Sequence, residues 1–386
     1  MRRRRGPAGS GVLACFVTSH GFGHSHRTAA VVNQIPRDVR VIVLSHSDLF
    51  GAWRQRLTRP ADLVEHVSDA GVVNPPGDSS GTDFGATLDR AWRVHAAALE
   101  GVERDADWMR AEGIAAVLCD VPAVPLLAAR RAGVPGFLLA NFTWADIYHS
   151  SLRGVGGERD RKLIASLRQA YRQAELVFRI EPALRMSWLA RQRNVGLIAH
   201  QGRNRRDELR RLLGLGRRER LVYFYVGRYG QNDLDWERMQ RYAGQGVHFV
   251  GYHPPPVGPL VNFHQVSPEA WHGGDLSASA DVILAKAGYG TVAEAMACGT
   301  PIIYPPRRGF AEFRALDRGL RGWGGGIPVS SREFRSMRLD RALATALASV
   351  CPPSPYPTDG ALRVAAFLTR RCRGQPLNRG DEWARD

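Results

Sequence analysis

Two short segments gather the side chains most suited to chemistry. The first, Ser19-His20-Gly21-Phe22-Gly23-His24-Ser25-His26-Arg27, directly follows a nearly continuous apolar run, residues 11–19 (GVLACFVTS). Glycines here let the backbone approach a ligand closely. A histidine at the start of the following helix carries the side chain whose ordinary titration range suits a general base at neutral pH. The spacing is not that of the dinucleotide fingerprint, because the residue three after Gly23 is His26. The structural alternative is three histidines making local capping bonds.

The second segment is Lys286-Ala287-Gly288-Tyr289-Gly290-Thr291-Val292-Ala293-Glu294, continued by residues 295–301 (AMACGTP). Gly290 and Thr291 are expected to open a helix whose free N–H groups and positive dipole end suit a diphosphate. Glu294, one turn further on, is spaced to accept hydrogen bonds from vicinal hydroxyls such as those of a ribose. Lys286 offers a cation just ahead of the loop. An ordinary helix, with Thr291 capping and Glu294 closing a capping box, is compatible with the same site. Two aspartate pairs, Asp105/Asp107 and Asp233/Asp235, do not follow convincing buried strands, and a lysine with a helix amino terminus leaves a diphosphate no need of a metal.

These segments need elements to hold them. Residues 39–45 (VRVIVLS), 115–119 (AAVLC, ending at Asp120) and 136–141 (GFLLAN) repeat the buried-strand signal, with a helix-like run over residues 124–132. The pattern restarts at residues 221–226 (LVYFYV, ending at Gly227), 247–250, 281–284 and 300–304. Strands alternating with helices imply parallel, doubly wound sheets, in which ligands bind beyond the carboxyl ends of the strands. The expected organisation is an amino-terminal domain over residues 1–199 and a second over 200–350. A tail over 351–386 follows, its terminal helix packing back on the first domain. The connection is placed at residues 195–206, where apolar periodicity lapses.

Composition limits the alternatives. The chain has 386 residues, 44% of them hydrophobic, with 53 Lys+Arg against 37 Asp+Glu. That apolar content argues against wholesale disorder, and no stretch is long and apolar enough to span a membrane. Five cysteines, Cys15, Cys119, Cys298, Cys351 and Cys372, show no CxxC spacing and read as small buried residues. The start, Met1 and then Arg2 to Arg5, lacks the apolar core of a secretory signal, which points to a cytoplasmic chain with at most peripheral contact at the inner membrane face. Only Lys162 and Lys286 are lysines, so arginine dominates the basic residues and the charge of +16 is partly compositional. Residues 151–220 hold +11 of it. A solvated face, an anionic acceptor or a membrane surface each fit that segment, whereas no nucleic-acid recognition motif accompanies it.

The two chemical segments, in this order and about 260 residues apart, resemble the GT-B glycosyltransferases. Macrolide and plant UDP-glycosyltransferases and the peptidoglycan N-acetylglucosaminyltransferase share the likeness, as does especially the glycosyltransferase-like amino-terminal region of plant arabinokinases. The GxGH-type loop is Gly21-Phe22-Gly23-His24. GxGTxxE followed by GxP runs from Gly288 to Glu294 and from Gly299 to Pro301, and Cys119-Asp120-Val121-Pro122 and Asn141-Phe142-Thr143-Trp144 extend the likeness.

The resemblance implies two Rossmann-like domains facing each other across a cleft. It makes His24 the base on the acceptor hydroxyl and Asp120 the carboxylate that fixes its tautomer. Gly227, Lys286, Gly288, Tyr289, Gly290 and Thr291 would contact the nucleotide diphosphate, and Glu294 its ribose. Glu312 falls where an acidic residue binds the donor sugar, but Phe313 replaces the glutamine that follows there. Arg228 departs from a small loop and would add a phosphate clamp, or else be a solvated arginine. His20, Gly21, Phe22, Gly23, Asn141 and Trp144 would lie on the acceptor side, although a tryptophan there also reads as core. The implied activity is inverting transfer from a UDP- or dTDP-sugar to an acceptor hydroxyl or amine, with no cofactor beyond that co-substrate. The acceptor stays open between a small metabolite, a lipid-linked and a polymeric one, and the basic segment, not the resemblance, adds the option of an anionic one. A nucleotide-sugar hydrolase, a 2-epimerase and a non-catalytic binding module remain alternatives on the same fold.

Overall fold

A computed structural model describes residues 11–75, 81–152, 156–200, 202–227 and 233–375. It forms two compact units: Met1–Val73, Asp83–Ile198 and Asp359–Asp386 make one, and Asn74–Thr82 with Ala199–Thr358 the other. The first unit holds strands β1 (Val12–Val17), β2 (Arg40–Ser45), β3 (Asp62–Glu65), β4 (Ile114–Asp120), β5 (Gly136–Ala140), β6 (Leu176–Ile180) and β7 (Gln192–Gly196). They pair in parallel in the order β3-β2-β1-β4-β5-β6-β7. The second unit holds β8 (Arg220–Tyr225), β9 (Val247–Gly251), β10 (Phe263–Gln265), β11 (Val282–Ala285), β12 (Ile302–Tyr304) and β13 (Gly326–Pro328). Their order, also parallel, is β10-β9-β8-β11-β12-β13.

This is the doubly wound α/β organisation expected from the alternating runs. Parallel strands return through helices that cover both faces of the sheet, so central strands must be apolar on both sides. Leu13, Ala14, Cys15 and Phe16 of β1 and Val117, Leu118 and Cys119 of β4 are accordingly sealed from solvent. In the second unit Val222, Phe224, Phe249, Val282, Leu284 and Ile303 form the equivalent core.

The strand order fixes where ligands can sit. In the first sheet the chain winds from β1 outward to β2 and β3, then returns to place β4 on the other side of β1. The second sheet repeats this, with β8 followed by β9 and β10, and β11 returning beside β8. At such a switch point adjacent loops diverge and open a crevice beyond the strand ends. The loops at these two points are those after β1 and β4, and those after β8 and β11.

Within the stretch expected to connect the domains, the first residues belong to the first sheet. Val195 and Gly196, assigned to a linker by their lapse in periodicity, belong to β7. Leu197 and Ile198 beyond them are buried, and the units divide after Ile198. Edge-strand pairing overrides the polar local sequence Gln192-Arg193-Asn194, because an edge strand needs burial on fewer sides. The last helix, Gly360–Cys372, lies in the first unit: Cys372 O accepts from Gly11 N at 3.0 Å, and the Phe367 ring meets Phe137 and Phe178 edge-on at 5.2 Å each.

Two arginines of the basic segment, Arg205 and Arg206, are paired within the second unit. Arg205 pairs with Glu208, donates to Ala270 O at 2.7 Å and lies 3.9 Å over the Trp271 ring. Arg206 pairs with Asp281, whereas Arg203 is exposed and, among the described residues, only its backbone N–H is engaged, donating to Asp275 Oδ1 at 2.8 Å. The Asp105 carboxylate meets His66 at 2.9 Å and Asp235 caps the helix Trp236–Arg241, so each has a structural function. Among the described residues no cluster of three or more His, Cys, Asp or Glu is arranged to hold a metal, and no helix is long and apolar enough to cross a membrane.

Candidate functional site

The switch point of the first sheet brings together the residues at the ends of β1 and β4. Thr18 N, just past β1, donates to Asp120 O at 3.2 Å, continuing the pairing of Val17 with Asp120. The chain then turns through Gly21, whose φ of 83° is a left-handed conformation that glycine adopts without strain. Gly21 precedes the helix Phe22–Gln34, so His24 stands in its first turn. A Cβ at Gly23 would meet nothing within 4 Å, so the backbone demand in this motif rests on Gly21 alone.

His24 is nearly buried and its Nδ1 lies 2.9 Å from Asp120 Oδ1. Since an ionised carboxylate only accepts, the imidazole donates through Nδ1, and in the neutral ring that tautomer carries its lone pair on Nε2. Helical spacing sets His24, Arg27 and Thr28 on one face. Arg27 Nε donates to Asp120 Oδ2 at 2.8 Å and its Nη2 to Oδ1, while Thr28 Oγ1 donates to Oδ2 at 2.6 Å. Arg27 Nη1 donates to Asn141 Oδ1 at 2.9 Å. Burial alone would raise the Asp120 carboxyl, but Arg27 and then His24 outweigh it and hold the group well below the usual carboxylate range. Asp120 therefore stays ionised across the neutral range.

The next residue is strained. Val121 has φ 79°, an outlier for a β-branched side chain. Its carbonyl accepts from Tyr171 Oη at 2.7 Å, and that hydroxyl accepts in turn from Trp144 N at 3.1 Å. Such conformations persist where surrounding contacts over-determine them, and they cluster at functional sites.

Asn141 and Trp144, expected on the acceptor side, are fully buried. They act as supports, Asn141 on Arg27 and Trp144 through Nε1, which donates to Asp69 Oδ2 at 2.8 Å. His20 is partly exposed and Phe22 more than half exposed. Arg27, Thr28, Asp69 and Tyr171 were not singled out as site residues by the sequence. The only local signal was the i, i+3, i+4 spacing from His24 to Arg27 and Thr28.

In the second unit β8 ends before Gly227, which has φ 74°, and Arg228 lies outside the described residues. Lys286, just after β11, donates its N–H to Tyr225 O at 3.2 Å, which ties the two loops of that switch point together. The helix that follows is Tyr289–Cys298, capped by Gly288 in extended conformation. It begins earlier than expected: Thr291 sits in the first turn instead of capping it, and Glu294 closes no capping box. A glycine cap has no side chain, and the first turn carries no acidic residue. The positive end of this helix is thus left uncompensated by acidic side chains of its own first turn.

Glu294 is partly exposed. A Cβ on Gly273 would lie 3.2 Å from its Oε2 and 3.4 Å from Tyr223 Oη, so glycine at 273 makes room for this carboxylate. Burial first, then Tyr252 and Glu294, push the Tyr223 hydroxyl well above its ordinary range, which keeps it a neutral donor. Glu312 begins the helix Glu312–Trp323 and is nearly buried, with its Oε2 3.9 Å from Arg307 Nη1. Phe313 meets the Tyr304 ring at 6.3 Å.

No family model matches the chain. L-arabinokinase of Arabidopsis thaliana is 26% identical over 331 residues, 84% of this chain and 31% of that relative, so this chain spans about a third of the relative's length. Among solved structures, the glycotransferase of kitacinnamycin superposes with a TM-score of 0.64 at 16% identity, covering 95% of this chain and 99% of the other. A UDP-glucosyltransferase from Polygonum tinctorium capable of glucosylating indoxyl gives 0.60 at 15% identity, with coverage of 95% and 99%. The glycosyltransferase VinC, in complex with dTDP, gives 0.55 at 14%, covering 94% and 95%. With its parallel sheets of seven and six strands, the chain has the two-Rossmann-unit GT-B fold of these glycosyltransferases.

Proposed function

We propose that this chain moves a sugar from a UDP- or dTDP-sugar to an acceptor hydroxyl, with inversion at the anomeric carbon. The observation that carries this reading is the buried His24–Asp120 pair at the switch point of a GT-B unit. Asp120 fixes the imidazole with Nδ1–H inward. The Nε2 lone pair takes the acceptor's proton as its oxygen forms the new bond to the anomeric carbon. The bond from that carbon to the diphosphate oxygen breaks, and the electron pair leaves with the nucleotide.

The second unit supplies the charge for the leaving group. Lys286 and the first-turn amides of the helix Tyr289–Cys298 meet the diphosphate, as does Gly227 in the neighbouring loop, and we assign Arg228 a phosphate contact from its type alone. Glu294 accepts from the ribose hydroxyls, and Glu312 binds the donor sugar beside Phe313. Positive charge already fixed in place stabilises the departing diphosphate without reorganisation, so we assign the reaction no metal and no cofactor beyond the nucleotide sugar.

The test is His24→Ala. Loss of the base removes transfer by a factor on the order of 10²–10⁴ while nucleotide binding, read by thermal shift, stays near wild type. Full activity in the variant refutes the assignment. Donor turnover at the wild-type rate without acceptor points instead to a hydrolase or epimerase.

A further inference from the structure

The first unit contains a second carboxylate beside the His24–Asp120 pair, and its surroundings give it no internal reason to be charged. Asp69 follows β3, in a loop at the carboxyl end of the sheet. Its Oδ1 accepts from Thr18 Oγ1 at 2.7 Å and its Oδ2 from Trp144 Nε1 at 2.8 Å. Both donors are neutral, and among the described residues no Lys or Arg forms an ion pair with it. A neutral acceptor would satisfy the same two donors without the cost of desolvating a charge. Burial raises the Asp69 carboxyl above its ordinary value, against those two hydrogen bonds and the influence of His24.

The position is built, not incidental. A circuit of contacts leads from Asp69 to Thr18, to Asp120, to His24, to the Phe142 ring at 5.8 Å, to Trp144 at 5.2 Å and back to Asp69. The loop is pinned where it passes the aromatic stack: Tyr148 Oη donates to Gly71 O at 2.9 Å, and Val73 N to Thr87 Oγ1 at 2.9 Å. Gly71 has φ 66°, and a Cβ there would lie 2.5 Å from His20 Nδ1, so only glycine fits. Each Asp69 oxygen uses one of its two principal acceptor directions on the protein, and the residue keeps partial exposure.

We propose that Asp69 binds the acceptor by taking hydrogen bonds from hydroxyls next to the one that reacts, and so selects a neutral, hydroxyl-rich acceptor of carbohydrate type. This rests on the transferase reading above. A carboxylate with both oxygens still able to accept matches a vicinal diol, whose O–H groups are donors in charge-assisted bonds. It repels an acceptor that carries its own carboxylate or phosphate, and it gives little to a flat phenol with one hydroxyl. The acceptor end of this unit therefore opposes the anionic acceptor that net charge suggested.

The experiment uses the full chain with UDP-glucose and dTDP-glucose as donors, and methyl β-glucoside, p-nitrophenol and glucuronate as acceptors. The wild type is expected to prefer methyl β-glucoside by kcat/KM, a result that needs no variant. Asp69→Asn keeps an oxygen for Trp144 and an amide for Thr18 Oγ1 but removes the charge. It should raise KM for the glucoside roughly tenfold or more, as expected for a lost charge-assisted bond, with kcat and KM for p-nitrophenol little changed. An equal rise for every acceptor, an unchanged KM, or preference for glucuronate or p-nitrophenol overturns the proposal. Donor turnover with transfer to none of the three also overturns it, whereas absence of nucleotide binding and turnover overturns the transferase reading beneath it.

Discussion

Asp120→Asn tests the central construction most severely, because one atom exchange disturbs both the fold and the proposed chemistry. The native carboxylate accepts from Arg27, Thr28 and His24 inside a region sealed from solvent. In the variant, an amide oxygen turned toward Arg27 leaves Nδ2 facing His24. That forces Nδ1 to accept and moves the imidazole proton to Nε2, where the acceptor's proton has to go. Transfer should fall by something on the order of 10⁴-fold, the scale of a wrong-tautomer histidine. The buried guanidinium of Arg27 meanwhile loses the Asp120 charge it pairs with, at a cost of about 3–5 kcal/mol. At about 2–4 °C per kcal/mol, the thermal midpoint of the first unit should drop by roughly 6–20 °C. Arg27→Met in the Asp120→Asn background removes the buried charge that Asp120 balanced, so the double variant should recover part of the loss, with a coupling of about 0.5–3 kcal/mol. Calorimetry of the four proteins, with initial rates of transfer, reads both effects. A midpoint shift below about 2 °C for Asp120→Asn, or additivity to within about 0.5 kcal/mol, would contradict a buried Arg27–Asp120 pair of this strength.

Two further outcomes follow from the same geometry. Because the Asp120 carboxyl is depressed in the folded state, its stabilisation is complete above the ordinary aspartate value near pH ~3.9 and is lost as pH falls toward the lowered one. Urea midpoints measured downward from pH ~5 should therefore fall less steeply in Asp120→Asn than in the wild type; parallel curves would contradict this. Glu294→Gln keeps the size of the side chain in the space left by Gly273 but weakens its acceptor strength. Nucleotide affinity by calorimetric titration should drop by roughly 5–150-fold, the worth of about 1–3 kcal/mol, with the thermal midpoint of the ligand-free protein within about 2 °C.

Legibility in the sequence followed burial. Central strands such as β1, β4, β5 and β8 are apolar on both faces, so their runs stand out, and the turns after them carry the glycines and histidines of the motifs. β3, β7, β10 and β13 lie toward sheet edges, are short or polar, and gave no comparable signal. The helix after β11 starts at Tyr289 and not at Gly290 because a cap depends on backbone geometry at Gly288, which side-chain types alone do not specify.

The amino-acid order by itself determined the doubly wound architecture and which strand ends gather the candidate residues, since periodicity and turn residues are local properties. The spatial partners were decided only by the tertiary structure. Asp120 reaches His24 across a separation of 96 residues and Arg27 across 93, while Asp69 meets Trp144 across 75. Such pairs form because the winding of the sheet sets β4 beside β1 and returns the loop after β3 over Trp144. The same winding turned two residues read as acceptor-facing, Asn141 and Trp144, into buried supports, and put Asp69 beside the pair they support. A side chain's type says what it can donate or accept, but whether it meets solvent, a charge or a neighbour depends on strands brought together from distant parts of the chain.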